Sequence, residues 1–174
     1  MNKPEGKSLN PILVLFAICF FAALLLSFTV NITHPIIEEA KKNAFSELGF
    51  PGMPELSDFL EYDVEKLPHG VLEAFVTEDK SYFVFKTDTK GYNGHVAFYV
   101  GLDGDGNYIG IKMKENSETP GLGSKVAADE YLAGFLGQKD PHAVDTITGV
   151  TLTTNSLRSA LILASQSYDI IKGE

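Results

Sequence analysis

The chain has a single cysteine, Cys19. It falls inside a long apolar run near the N-terminus, so whatever folds beyond that run has no disulfide, no cysteine-ligated zinc and no thiolate-held iron–sulfur cluster. Any redox chemistry would have to come from an organic cofactor. Basic residues are scarce as well: 14 Lys and Arg stand against 23 Asp and Glu, a formal net charge of -9. That balance argues against nucleic acid as a partner, which needs clustered Lys and Arg to displace counterions. The four histidines show no metal-site spacing, and no nucleophile–base pair stands out, a silence that fits a hydrolase poorly. Internal repeats and low-complexity linkers are also missing.

The longest absence is of charge. From Ser8 to Thr33 there is no Asp, Glu, Lys, Arg or His, and the centre reads ILVLFAICFFAALLLSFTV. At about 1.5 Å per residue, roughly 20 apolar residues cross a hydrocarbon core of about 30 Å. A signal peptide is the rival reading, because Lys3 and Lys7 precede the run. Its apolar part is long for such a peptide, however, and TVNITHPII follows in place of a small-x-small cleavage site. The run reads as an uncleaved single-pass anchor over residues 11–33. Lys3 and Lys7 before it, with His34, Glu38 and Glu39 just after, place residues 1–10 in the cytoplasm and the remainder outside the cell membrane.

Residues 34–54 carry apolar positions Ile36, Ile37, Ala40, Ala44, Phe45 and Leu48 at helical spacing until Gly49, Pro51 and Pro54. They read as a juxtamembrane helix and linker, leaving 55–174 as the outer domain. Within it, alternation broken by Gly, Asp and Asn predicts strands near 71–76, 81–87, 95–102 and 107–114. Asp103, Asp105 and Asn107 open like a calcium loop, but Tyr108 and Lys114 stand where Gly and Glu are required, so a hairpin turn is the better account. A short helix is expected from about 124 to 136. A final one should run from about 155 to 172, with Leu157, Ala160, Leu161, Ala164, Tyr168 and Ile171 on one stripe. Strands followed by helices give an α+β domain.

Two stretches could carry chemistry. DTITGVTLTT, residues 145–154, packs hydroxyls and a glycine onto the front of the final helix. Thr153 or Thr154 could cap that helix, which leaves Thr148, Gly149 and Thr151 unexplained. The first amides of a helix are unsatisfied and its dipole favours an anion there, so a phosphate is the natural ligand. By itself the signal is weak, because many helices start with threonine and bind nothing. ETPGLG, residues 118–123, is a rigid turn whose glycines could bring backbone against a flat ligand, or a plain connection.

Together, one N-terminal span, ETPGLG, and DTITGVT about twenty residues later make the chain resemble the FMN-binding G subunits of the Rnf electron-transport complexes, over nearly its whole length. Related C subunits occur in sodium-pumping NADH:quinone oxidoreductases, but those are generally longer between anchor and motif. The resemblance implies FMN joined by a phosphoester to Thr151, the last Thr of D-x-x-S/T-G-A-T, through the action of a separate flavin transferase. Asp145, Thr148 and Gly149 match that motif, with Asp145 serving transferase recognition; Val150 stands where Ala is usual. By the same resemblance Thr153 and Thr154 sit by the phosphate, and Glu118, Thr119, Gly121, Leu122, Gly123 and Lys125 lie beside the flavin, with Tyr92 and His95 approaching the ring.

The implied function is a membrane-anchored one-flavin carrier, passing electrons between other membrane subunits of a complex that links ferredoxin and NAD to Na⁺ or H⁺ translocation. No general acid or base is needed for that role, and no metal site is implied. The alternatives are the C subunit of a sodium-pumping quinone reductase, or an anchored binding or assembly module without redox activity.

Overall fold

The structure, a computed structural model, describes residues 11–114 and 123–173. The chain divides into two compact units, Met1–Ala44 and Phe45–Glu174. The first is built on helix α1, Pro11–Ser46. Its Pro11–Thr33 portion has a mean hydropathy of 2.8, none of it buried, and is long and apolar enough to cross a membrane. The helix is continuous through Pro35, so the expected anchor and the first part of the expected juxtamembrane stretch lie on one helix that ends at Ser46.

The second unit is an antiparallel five-stranded sheet in the order β1-β2-β3-β4-β5. Its strands are β1 Phe59–Glu61, β2 Val71–Thr77, β3 Tyr82–Lys90, β4 His95–Asp103 and β5 Tyr108–Met113. All four expected strands are present within a few residues. β1 is an addition to them: its three residues lie in a stretch that reads as polar and irregular, and they pair with Thr77, Val76 and Phe75. The β4–β5 turn is the hairpin read from sequence. Asp103 Oδ1 accepts from the amides of Asp105 (3.0 Å) and Asn107 (2.9 Å) and Oδ2 from the Asn107 amide group (2.8 Å), which spends the carboxylate on the turn itself.

Two layers cover the sheet. Helix α3, Thr151–Gly173, lies on one face. Leu157, Ala160, Leu161 and Ala164 are fully buried there against Phe83, Phe85, Phe98 and Val100, and each large side chain so buried contributes about 1.5–3 kcal/mol. On the other face Phe45, Leu48 and Phe50 pack with Phe59, Phe75, Val84 and Tyr99. Residues 45–54, read from sequence as the end of the juxtamembrane helix and its linker, thus supply part of the core. Phe50 lies over Gly110 and Gly101, paired in register on β5 and β4. A Cβ on Gly101 would stand 2.7 Å from the ring and one on Gly110 closer still, so these glycines make the slot for the phenylalanine.

Three polar ties fix how α3 is oriented. Lys80 Nζ donates to the Ile171 carbonyl (2.9 Å), while Tyr168 Oη and Lys172 Nζ donate to the Gly104 carbonyl (2.8 and 2.9 Å). The helix C-terminus therefore sits over the β2–β3 and β4–β5 turns. At the opposite end Thr89 Oγ1 donates to the Ser156 carbonyl (3.0 Å) and lies 2.7 Å from its hydroxyl. The start of α3 consequently shares an end of the sheet with the β3–β4 turn.

Candidate functional site

The expected helix over 124–136 is a single 3-10 turn, Gly123–Lys125, followed by the short α2, Asp129–Ala133. Beyond it the chain hooks onto the β5 edge: the Gly137 amide donates to the Tyr108 carbonyl (2.8 Å) and the Tyr108 amide to the Gln138 carbonyl (2.9 Å). It then runs to the threonine-rich stretch. Gly134 allows the close approach of Val144, whose Cγ2 lies 2.8 Å from where a Cβ would be.

Residues 144–146 are held from two helices. Arg158 of α3 donates through Nη1 to Thr146 Oγ1 (2.9 Å) and through Nη2 to the Val144 carbonyl (2.8 Å). Tyr131 of α2 donates to the Asp145 carbonyl (3.0 Å). Burial raises the Tyr131 phenol above its ordinary value, outweighing the Thr154 hydrogen bond and the Arg158 charge that pull it down, so it remains a donor at neutral pH. Asp145 itself is exposed.

Then comes a tight turn. The Val150 amide donates to the Ile147 carbonyl (3.1 Å), and Gly149 has φ +84 while Thr148 is not among the residues of positive φ. A negative φ followed by a positive one closed by this bond is a type II turn, which asks for glycine at its third position. Nothing lies within 4 Å of a Cβ at Gly149, so the requirement is conformational, not steric.

The final helix begins at Thr151, earlier than the expected 155, because burial of Val150, Thr153 and Thr154 (6, 1 and 0% exposed) overrides the modest helix propensity of threonine. Thr153 and Thr154 therefore do not cap it. Thr154 Oγ1 donates back to the Val150 carbonyl (3.1 Å), and both side chains face the interior. Thr148 and Thr151 are exposed. The helical ladder opens with the Thr154 amide donating to the Val150 carbonyl (3.0 Å), so the amides of Thr151 and Leu152 precede it. Val150, where the resembled motif has Ala, points into the main core with Leu132 and Leu157, away from the face that presents Thr151.

Other expected site residues are spread around this end. Tyr92 is exposed, and the exposed His95 pairs through Nδ1 with Asp88 Oδ2 (2.9 Å); both belong to the β3–β4 turn, at the same end as the start of α3. Lys114, whose amide donates to the Ala97 carbonyl (2.9 Å), brings β5 out at that end too. Glu118, Thr119, Gly121 and Leu122 lie outside the described residues. Gly123 is buried and Lys125 exposed. A cleft of about 550 Å³ runs along β5 toward α2, between Ile109, Ile111, Leu132 and Leu136, and among the described residues none of the expected site residues lines it. Among the described residues no cluster of His, Cys, Asp or Glu could hold a metal. Sequence reasoning did not single out Arg158 or Tyr131. The signal available was that Arg158 is the one arginine in the sequence.

A family profile described as FMN-binding domain matches residues 91–166, from the β3–β4 turn to well inside α3. That stretch is similar to FMN-binding domains. The matched stretch holds both chemistry-bearing motifs together with β4, β5 and α2. Over 90% of its length the chain is 29% identical to the G subunit of the Na(+)-translocating ferredoxin:NAD(+) oxidoreductase complex of Acetobacterium woodii, covering 89% of that protein. It is 32% identical over 90 residues to the G subunit of the ion-translocating oxidoreductase complex of Cronobacter sakazakii and 33% identical over 93 residues to that of Aliivibrio fischeri. In those two cases the alignment spans 43% and 45% of this chain and 43% and 44% of the relative. The likeness to these two thus covers less than half of either chain. The described residues suit a phosphate at Thr151: an exposed hydroxyl, two amides ahead of the helical ladder and a glycine turn open to solvent.

Proposed function

We propose that this chain is the G-type subunit of an Rnf-like ferredoxin:NAD oxidoreductase complex and carries FMN as a phosphoester on Thr151. The observation that carries the reading is the alignment with the Acetobacterium woodii protein along nearly the whole of both chains, joined to an exposed threonine at the start of a 23-residue helix. FMN, when attached, supplies reversible electron uptake and release. The chain's own part is to hold and shield it. Thr151 Oγ bears the ester, the first-turn amides and the dipole of α3 oppose the phosphate charge, and Gly149 lets the backbone approach. Thr153 and Thr154 contribute by fixing the first turn from inside. The segment 118–123 and Lys125 bear on the ring system, whose potential the protein tunes through hydrogen bonding, charge and burial.

The partners in this reading are the membrane subunits that donate and accept electrons, and a flavin transferase that reads Asp145 and its neighbours. Coupling to Na⁺ or H⁺ belongs to the assembled complex. Lys3 and Lys7 orient the anchor with its N-terminus in the cytoplasm and the FMN domain outside. Protease added to cells with a permeabilised outer barrier should therefore degrade the domain, and its protection would reverse this orientation.

Co-production with a flavin transferase followed by denaturing electrophoresis tests the cofactor assignment. A band fluorescing at the mass of the chain is expected. A dark band, with Val150→Ala dark as well, would favour an anchored binding or assembly module that carries no covalent flavin.

A further inference from the structure

Five threonines lie between residues 146 and 154, and the structure withdraws three of them from solution chemistry. Thr146 Oγ1 is engaged by Arg158, Thr154 donates to the Val150 carbonyl, and Thr153 is buried. Thr148 and Thr151 remain exposed on either side of Gly149. Exposure does not choose between them.

Their surroundings do. Thr151 is fixed by the packing of α3, whereas Thr148 sits in the type II turn, whose position depends on residues 144–146 just before it. Each of those three residues is tied by a side chain from a helix: Val144 and Thr146 by the Arg158 fork, Asp145 by Tyr131. Arg158 is the only arginine in the chain. Its Nε is buried with no hydrogen-bond partner among the described residues, an arrangement that costs stability and that a plain packing role would not retain. The planar fork, not the charge alone, makes the two bonds at once.

We infer that Arg158, seconded by Tyr131, is a positioning residue that selects Thr151 over Thr148 as the site of flavin attachment. This rests on the phosphoester reading above. In the attachment step the threonine Oγ–P bond forms and the P–O bond of a flavin dinucleotide's pyrophosphate breaks. AMP leaves with that bond's electron pair, and the hydroxyl proton passes to a base of the transferase or to water. Nothing is oxidised or reduced. With residues 144–146 clamped, the turn holds Thr148 out of line and offers Thr151.

The test uses the full chain in detergent with transferase and flavin adenine dinucleotide, comparing wild type, Arg158→Lys, Arg158→Met and Tyr131→Phe. Labelling rate, the modified threonine by peptide mapping, and the urea midpoint are read for each. The wild type should be labelled at Thr151 alone. Arg158→Met should label at least tenfold more slowly and place a measurable share of flavin on Thr148, with Arg158→Lys intermediate because an ammonium cannot reproduce the fork. Thr151→Ala combined with Arg158→Met should label at Thr148, where Thr151→Ala alone does not. Tyr131→Phe removes one tie while keeping the ring, and should show a smaller shift in the same direction should Arg158→Met fail to fold. Labelling confined to Thr151 in every variant, whether at the wild-type rate or uniformly slowed with the urea midpoint, would overturn the inference. A wild type that stays unlabelled would overturn the phosphoester reading itself, and the inference with it.

Discussion

Gly149→Ala isolates the backbone requirement of the attachment turn. Gly149 has φ +84 and nothing within 4 Å of a Cβ, so the added methyl meets no neighbour and the whole effect is conformational. Holding a non-glycine residue in a left-handed conformation costs about 1–2 kcal/mol. The turn is exposed and flanked by solvent, so it should relax in preference to transmitting that strain into the core. A shift of that size changes a two-state ratio by roughly 5- to 30-fold. Flavin labelling of Gly149→Ala by the transferase should slow by that factor, while the urea midpoint of the full chain in detergent moves little. Gly149→Asn, whose side chain tolerates the left-handed region, should recover most of the rate. Equal labelling of the glycine and alanine forms, or an asparagine no better than alanine, would refute the claim that the conformation of this turn is what the transferase requires.

The fold and its acid response make two further tests. Gly110→Ala would drive Phe50 off its glycine slot, so its cost should approach the about 3–5 kcal/mol of Phe50→Ala. In a Phe50→Ala background the same change should be neutral or favourable, since alanine exceeds glycine in a strand interior by about 0.5–1 kcal/mol; additive costs by urea titration would show that Phe50 does not occupy this slot. Hydrogen bonds from the Ser81 side chain, from Thr77 and from the Ser81 amide hold Asp79 down at about 2, against an ordinary value of 3.8. For Asp103, burial pushes upward, but the Asn107 side chain and the turn amides outweigh it and lower the value. A carboxyl more acidic when folded contributes stability that is complete above its unfolded value and is lost as the pH falls through the folded one. Stability should therefore drop from pH 3.8 toward about 2, and Asp79→Asn with Asp103→Asn should flatten that drop; an unchanged acid profile in the double variant would contradict it.

Much of this architecture is legible in residue patterns, and the exceptions share a cause. Period-two alternation locates β2 to β5, and the 3.6-residue stripe locates α3, because both patterns record which side chains meet the core. β1 has no such record; its three residues form a strand by pairing with β2. The start of α3 escapes sequence reasoning for the same kind of reason. Its threonines read as a cap, yet tertiary burial of Thr153 and Thr154 draws them into the first turn. The role of residues 45–54 is hidden because Phe50 finds its place on a pair of glycines brought together by strand register. At the candidate site, the local parts are legible: Gly149 for a left-handed turn, exposed hydroxyls, a helix start. The Arg158 and Tyr131 ties are not, since they join residues 12 to 14 positions apart through a loop whose path only the fold determines.

Peptide mapping of the chain purified from its native membrane tests the central claim most directly. The account predicts that the peptide containing Thr151 is heavier by one FMN less one water, with the ester on the Thr151 side chain, and that Thr151→Ala yields a folded chain without covalent flavin. Recovery of that peptide unmodified in every molecule, or of covalent FMN on the Thr151→Ala chain, would contradict it.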